Sequence, residues 1–314
     1  AWYNWWREEG LYGSVVANQE ANAYFKMGKP VGAAVFDKEE SSEMRSNVAM
    51  IVDYDFFTED AIFGADKGYL GGQHMTNLNL MYTHYFTYNS SLATGLTASS
   101  RWVKEALTDR LWSDSNALRN FDRNESEVGA YAEYTYNIKE KFSVVAGVRY
   151  DYNAYFRKHL FTPRGHIKWN ITPTTVLRAS AGMGYRPTDI VTDNIGIMAT
   201  GRRIVFDQPF DRTFDRMEKA LTAGGSFAQT FSTVDYQDMT ISFDYFRTQL
   251  YHSVIVDQER DAENIYVYTT DGKSYTNTYQ VDLSWTPAER LDIFATFRYT
   301  DSKYTITRAD GSTQ

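Results

Sequence analysis

The sequence contains no cysteine, which excludes a disulfide scaffold and any thiolate metal site or nucleophile. It has no run of about 20 apolar residues, the length that a membrane-spanning helix requires. The formal net charge is -8, so the basic footprint of a nucleic-acid-binding protein is missing. There is no nucleophile elbow, no HExxH pair and no Asp-rich calcium loop. We therefore predict that the chain is not an enzyme, holds no metal or cofactor and binds no nucleic acid.

Aromatic residues are abundant instead, with 24 Tyr, 19 Phe and 7 Trp. That is more than a soluble core needs, and it suits the two aromatic girdles with which a membrane protein meets the lipid interfaces. The first residues, AWYNWWREEG, show no basic region followed by an apolar one, and the last, RADGSTQ, resemble a polar loop. We expect the chain to be an internal piece of a longer protein.

Between Glu127 and Arg186, four segments separated by three short turns and loops alternate apolar and polar residues almost without a break. In the segment FSVVAGVRYDYN, Phe142 to Asn153, one parity is apolar and ends in tyrosines, while the other carries Ser, Val, Gly, Arg, Asp and Asn. Successive side chains of a strand point to opposite faces of a sheet, so each such segment has an apolar and a polar face. Segments of roughly ten residues with aromatic ends and a charged second face are typical of a transmembrane β-barrel with a wet lumen.

The connections also alternate between short and long. Short ones are predicted at Asn137 to Lys141, Asn170 to Thr175, Phe231 to Asp238 and Ser284 to Arg290. Long ones are predicted at Arg101 to Asn124, Tyr155 to Thr162, Pro187 to Met217 and Tyr251 to Ser274. This asymmetry is expected of an outer-membrane barrel with periplasmic turns and outer loops. The sequence therefore predicts an all-β, antiparallel transmembrane β-barrel, partial, with about a dozen strands.

The first third of the chain is less regular. Gly32 to Phe36 and Asn47 to Asp55 are predicted as strands, and Asn77 to Ser100 as a pair of strands around a short turn. Val103 to Leu111 has helical spacing, which indicates a short surface helix within a loop.

Two other interpretations stay open. A soluble β-sandwich could bind glycans by stacking, with Trp169, Trp285 and the Trp5 and Trp6 pair as platforms. A barrel could also serve only as a passive pore or scaffold. The sandwich differs from the barrel in where the apolar parity lies, against a second sheet or against lipid.

The order of several segments resembles the TonB-dependent outer-membrane receptors, in particular the Bacteroidetes-type, cobalamin-receptor-like members. The matching segments are EVGAYAEYTYN, FSVVAGVRYDYN, FTPRGHIKWNITPTTVLRASAGMGYRPTDIVTDNIGIMATGRR, DYFRTQLYHSVIVD and GKSYTNTYQVDLSWTPAERLDIFATFRYT. The resemblance implies a barrel of about 22 strands around an N-terminal plug. On this basis residues 1–314 are the middle of the barrel, without the plug and the C-terminal strands.

The resemblance further implies a protein of the bacterial outer membrane that imports a large, scarce nutrient with energy from TonB. That nutrient would be a cobalamin-like corrinoid or a metal chelate such as a siderophore. The implied partners are TonB, the receptor's own plug domain, outer-membrane lipid, the nutrient and, in some members, a surface lipoprotein.

Two groups of residues are predicted to form sites. Side chains of the polar parity should line the lumen and face the plug: Arg149, Asp151, Arg164, His166, Lys168, Arg178 and Arg186. Donors and acceptors in the outer loops should meet the ligand: Asn194, Arg202, Arg203 and Asp257.

Overall fold

A computed structural model of the chain describes residues 14–36, 43–63, 67–109, 122–138, 141–200, 202–206, 216–232, 238–270 and 274–305. These residues form fourteen β-strands that belong to one sheet. In chain order the strands are β1 (Ser14–Phe36), β2 (Glu43–Phe63), β3 (Lys67–Thr87), β4 (Ser90–Asp109), β5 (Arg123–Ile138), β6 (Phe142–Asn153), β7 (Lys158–Thr172), β8 (Thr175–Pro187), β9 (Arg203–Phe206), β10 (Met217–Ser232), β11 (Asp238–Asp257), β12 (Asn264–Thr270), β13 (Ser274–Ala288) and β14 (Leu291–Lys303).

Most of these strands form one continuous antiparallel wall. Strands β1 to β8 follow one another in sequence order, and β10, β11, β13 and β14 continue the wall. Within the part of the chain that is described, β1 and β14 are the two edges and do not pair with each other. The prediction of a partial, antiparallel barrel with about a dozen strands is confirmed.

The two ends of the wall differ in their connections. At one end, which we call the turn end, β3 stops at Thr87 and β4 starts at Ser90, and β7 stops at Thr172 before β8 starts at Thr175. At the opposite end, the loop end, residues 188–216 separate β8 from β10. Short connections and a long one thus lie at opposite ends as predicted, although the loop-end connection between β6 and β7 is short as well.

The apolar parity of the wall is exposed on its outer face. Val128 is 57% exposed, Ile167 44% and Trp169 45%, and no second layer of the sheet covers them among the described residues. Apolar side chains along every strand need an apolar neighbour, which a bilayer supplies to a transmembrane barrel. This arrangement does not favour the soluble sandwich. Trp285 lies on the same outer face, whereas Trp5 and Trp6 fall outside the described residues.

Tyrosines mark where the apolar band ends. Tyr279 on β13 lies between Tyr245 on β11, at 4.9 Å between ring centroids, and Tyr299 on β14, at 6.2 Å. Two residues further toward the loop end, the same face carries Asn277 and Asp301, whose side chains are joined by a 3.4 Å hydrogen bond. A change from apolar to tyrosine to polar is expected at a membrane interface.

Part of the loop end is folded into a small unit of its own. The connection from β8 to β10 contains the helix α1 (Ile190–Asp193), a 3-10 helix (Ile195–Ala199) and β9. Strand β12 pairs with β9 in parallel and with β11 in antiparallel orientation. We call α1, the 3-10 helix, β9 and β12 together the cap. In the described residues, no helix has the length and apolar composition to cross a membrane.

The cap packs on the inner face of β2, β3 and β4 near the loop end. Its apolar residues Ile190, Ile197, Ile204 and Ile265 join a cluster of buried apolar side chains. The wall contributes to this cluster Ala61, Phe63, Tyr69 and Leu107. Because the cap leaves the wall at β8 and contacts it again at β2 to β4, it reaches across the loop end of the curved sheet.

Three predictions about local structure are wrong in detail. Residues 103–109 continue strand β4 and are not helical, while 110 and 111 lie outside the described residues. In this segment Val103, Glu105 and Leu107 face inward and are buried. Val103 and Leu107 are four residues apart, a spacing that fits one face of a helix as well as one face of a strand. The connection between β6 and β7 is only 154–157, shorter than predicted. The strands predicted before residue 60 are fragments of the long strands β1 and β2.

Candidate functional site

The inner face of β5, β6 and β7 carries the first group of predicted site residues. Arg149 donates to both carboxylate oxygens of Asp151, from Nε at 2.7 Å and from Nη2 at 2.6 Å. The same Nη2 donates to Thr97 Oγ1 on β4 at 2.8 Å. Asp151 is only 4% exposed, so this two-pronged pair is partly shielded from water.

A glycine provides the room for this pair. A Cβ at Gly129 would overlap the carboxylate of Asp151 and lie 2.9 Å from Thr97 Oγ1. Gly95 has the same function one strand away, because a Cβ there would overlap the ring of Tyr131. Tyr131 consequently lies flat along the inner wall, and its hydroxyl donates to Asn79 Oδ1 at 3.2 Å.

Arg164 forms a second ion pair on the same face. Its Nε donates to Glu133 Oε2 at 2.8 Å, and its Nη2 lies 2.6 Å from the same oxygen. Both ion pairs border a concavity of about 610 Å³. Its polar lining is Asn79, Glu127, Tyr131, Glu133, Arg149, Asp151, Thr162 and Arg164. The predicted residues Arg149, Asp151 and Arg164 are therefore brought together.

The remaining predicted lumen residues lie away from this concavity. His166, Lys168 and Arg178 share the inner face nearer the turn end, where Lys168 is directly opposite Arg178. Arg186 is near the loop end of β8 and forms an ion pair with Asp193 in the cap. These residues share the inner face of the wall and form three separate groups, and their contact with a plug stays a prediction.

The predicted ligand-contacting residues lie in the loops at the loop end. Arg202 Nη1 donates to the backbone oxygens of Gln258 at 2.6 Å and Asp261 at 3.1 Å, which joins two outer loops. Asn194 Nδ2 donates to Ile190 O at 3.0 Å. The backbone N–H of Arg203 donates to Glu263 O at 2.9 Å.

Asp257 and Asp261 shape the turn that follows β11. Asp257 Oδ1 accepts hydrogen bonds from the backbone N–H groups of Glu259 at 3.0 Å and Arg260 at 3.2 Å. Asp261 accepts from the side chain of Asn264 at 2.6 Å and from the backbone N–H of Glu263 at 2.8 Å. These donors lower the pKa of Asp261, the Asn264 amide contributing most. The ligand-binding role of the loop residues remains a prediction.

A network of buried charges connects the cap to the wall. Arg123, at the start of β5, forms ion pairs with Glu105 on β4, with Glu125 at 2.7 Å and with Asp189 just before α1. Arg101 on β4 also pairs with Asp189 and lies 3.4 Å from Glu125. Buried charges require such partners, because removing them from water is costly.

A hydroxyl pair extends the network into the cap. The Tyr69 hydroxyl lies 3.0 Å from Glu105 Oε1 and 2.7 Å from Thr192 Oγ1 in α1. Thr192 also donates to Glu105 at 3.0 Å. Arg216, which directly precedes β10, lies 3.8 Å from Glu125 and 5.4 Å over the ring of Phe156. Charge and hydrogen bonding thus hold the cap in place in addition to its apolar contacts.

A family model described as the β-barrel of TonB dependent receptor-like proteins matches residues 11–314. The chain belongs to this family. TonB-dependent receptors are outer-membrane β-barrels, which agrees with the exposed apolar outer face. A comparison with curated protein sequences gives no match.

Solved structures of this fold are similar over nearly the whole chain. The outer membrane transporter YddB from Escherichia coli has a TM-score of 0.60 at 11% identity, covering 92% of this chain and 43% of that one. The alcaligin receptor FauA from Bordetella pertussis has a TM-score of 0.56 at 12% identity, covering 96% and 48%. The copper transporter OprC has a TM-score of 0.61 at 13% identity, covering 93% and 48%. The chain therefore spans less than half the length of these structures, and the likeness shows the fold alone.

The sequence reasoning missed the charge network of this TonB-dependent receptor barrel. Arg101, Glu105 and Arg123 lie within the predicted long connection Arg101 to Asn124, and Glu125 directly follows it, although all four residues belong to the loop ends of β4 and β5. The available signal was the alternation of Arg101, Val103, Glu105 and Leu107. A strand face that carries both charged and apolar residues suits neither lipid nor water as its neighbour. It indicates that another folded part of the protein packs against it.

Proposed function

We propose that this chain is the part of a TonB-energised transporter barrel past which a large, scarce nutrient enters the cell. The nutrient would be a cobalamin-like corrinoid or a metal chelate such as a siderophore. The observation that carries this proposal is the contrast between the two faces of one wall. The outer face is apolar and exposed, whereas the inner face holds ion pairs and a concavity of about 610 Å³ near the cap.

In this proposal the inner face contacts the receptor's plug. Arg149, Asp151 and Arg164, with the further basic residues of β7 and β8, supply ion pairs and hydrogen bonds across a wet interface. Such contacts are individually weak, often about 0–1 kcal/mol, so they can be exchanged when TonB moves the plug. A dry apolar contact of equal area would resist that movement far more strongly.

The outer loops would meet the ligand first. Arg202 uses only Nη1 for its two described bonds, and a guanidinium has five N–H donors in total. Its Nε and Nη2 therefore remain available to an anionic or amide-rich ligand, with Asn194, Arg203 and Asp257 nearby in the same loops. The names of structurally similar proteins, an alcaligin receptor and a copper transporter, support a chelate or metal cargo.

The test is uptake by cells that produce the full-length receptor. Radiolabelled cobalamin and ferric siderophores are supplied to matched strains with and without TonB, and surface binding is separated from uptake by washing. The proposal predicts accumulation of one ligand class that is lost without TonB while surface binding persists. Accumulation that is unchanged without TonB would indicate a passive pore, and neither binding nor uptake of any ligand would indicate a scaffold.

A further inference from the structure

A patch of positive charge lies on the inner face of β7 and β8, and we call it the basic sector. It consists of His166, Lys168 and Arg178. Lys168 and Arg178 are directly opposite each other on neighbouring strands, and His166 is opposite Ser180. Two like charges at directly opposite positions of a sheet destabilise it unless something compensates them.

The adjoining strands offer no compensation. On β6 the residues opposite Lys168 and His166 are Ser143 and Val145, and on β10 the residue opposite Arg178 is Ser226. Among the described residues, none of the three basic side chains forms an ion pair. The contrast with Arg149 and Arg164 is clear, because each of those has its own carboxylate on the same wall.

The position of the basic sector indicates what occupies the space beside it. Lys168 and Arg178 lie within four residues of the turn between Thr172 and Thr175, at the turn end. The cap and the outer loops are at the opposite end of the wall. A ligand that enters between the loops reaches the turn end last, so it cannot compensate these charges in the resting protein.

We propose that the receptor's plug domain presents an acidic surface to the basic sector. This inference rests on the proposed function, because it requires a plug in the lumen. It adds that the plug surface facing β7 and β8 carries negative charge. Asp244, which lies opposite Ser226 on β11, has the opposite charge on the next part of the inner wall. A plug with an acidic side therefore has one electrostatically favoured rotational position in the barrel.

The test is cross-linking with a water-soluble carbodiimide, which joins a lysine amine to a carboxylate in direct contact and adds no spacer. Outer membranes containing the full-length receptor, from a strain without TonB, are treated, digested and analysed by mass spectrometry. We expect a peptide pair that joins Lys168 to an Asp or Glu of the plug. Lys168→Arg retains the charge and should abolish the pair, whereas Arg178→Lys should add a second pair to the same plug surface.

The inference is overturned if Lys168 is joined only to barrel carboxylates such as Asp244, or remains unmodified. A second measurement follows passage of the large antibiotic vancomycin through the receptor. Lys168→Glu combined with Arg178→Glu should raise antibiotic sensitivity several-fold, because the plug is repelled. Lys104→Glu, on an exposed residue of the outer face, is the matched control and should have no effect; equal sensitivity of both variants would also contradict the inference.

These measurements are independent of the proposed import activity. The cross-link forms in resting membranes without TonB and without a ligand. Receptors that form the cross-link but take up no ligand would contradict the proposed function alone. Receptors that take up a ligand with TonB but form no plug cross-link would contradict the acidic plug surface alone.

Discussion

Arg123 at the start of β5 forms a buried ion pair with Asp189, 66 residues later in the chain, and thereby joins the barrel wall to the cap. The Arg123 side chain is only 1% exposed, and it also pairs with Glu105 and Glu125. The cap is therefore joined to the loop end of the wall by charge pairs, in which Arg101 also takes part through Asp189 and Glu125.

Replacing Arg123 should detach the cap without dissolving the barrel. Arg123→Met removes the cation that Glu105, Glu125 and Asp189 share, and only Glu125 and Asp189 keep a pair with Arg101. Breaking a buried pair such as that of Arg123 with Glu105 costs about 3–5 kcal/mol. We expect limited proteolysis of the full-length receptor to cut between α1 and β9 at least tenfold faster, while heat modifiability on gels persists. Arg45→Met is the control, because its pair with Glu43 is about half exposed and contributes little. Equal cleavage of both variants would contradict the role of Arg123.

Gly129 should be intolerant of even one methyl group. Gly129→Ala forces the Cβ into the carboxylate of Asp151, which must move together with Arg149. Overpacking of this kind costs about 1–3 kcal/mol, so the temperature at which the folded barrel form disappears on gels should fall by several degrees. Gly184→Ala is the matched control on the inner face of β8, where a Cβ would have open space around it. A drop of equal size in the control would show that strand glycines matter generally.

A lysine on the outer face should be far more harmful than one on the inner face. Ile241 faces outward on β11 within the apolar band, and a lysine near the middle of a bilayer costs about 2–4 kcal/mol. Its neighbour Ser242 faces inward, opposite Asp282 on β13. We expect Ile241→Lys to reduce the amount of folded receptor in the outer membrane several-fold and Ser242→Lys to leave it unchanged. The reverse order would mean that the two faces have been exchanged.

The turn after β11 should persist to an unusually low pH. Hydrogen bonds from Asn264 and Glu263 lower the pKa of Asp261 below its ordinary value of 3.8. The interactions of the charged carboxylate are therefore complete above that ordinary value and are lost as the pH falls through the lowered pKa. NMR titration of the Asp261 carboxyl carbon should give a midpoint below 3.8, and Asn264→Ala should move it upward. A wild-type midpoint at or above the ordinary value would refute the assignment.

Strand alternation was sufficient to predict the wall, because lipid and lumen impose opposite requirements on neighbouring residues. In strands β5 to β8 the apolar residues share one face, and Arg149, Asp151 and Arg164 lie together on the other. The sequence could not show that Arg149 pairs with Asp151 two residues later, or that Gly129 makes room for them. The first depends on side-chain geometry along β6, and the second on the contact between β5 and β6.

Strand alternation did not predict the structure at the loop end of the wall. In β4 between Val103 and Leu107 the inner face packs against the cap, so its residues are apolar or paired charges instead of solvated ones. The pairing of β9 with β12 was also hidden, because it joins segments of two different loops. Contacts between distant loops leave no periodic signal in the sequence.

The central claim is that one parity of the wall faces lipid and the other faces the lumen. This chain has no cysteine, so single spin labels are attached at Ile167→Cys and His166→Cys in the full-length receptor, with any cysteine outside this chain replaced by serine, and the receptor is reconstituted in lipid. Collision rates with oxygen, which concentrates in the bilayer, and with a water-soluble nickel complex are then measured by electron paramagnetic resonance. The account predicts that the label at 167 collides strongly with oxygen and weakly with nickel, while the label at 166 shows a much lower ratio of oxygen to nickel. A label at 167 that is shielded from both reagents would contradict it, because the apolar parity would then be packed against protein.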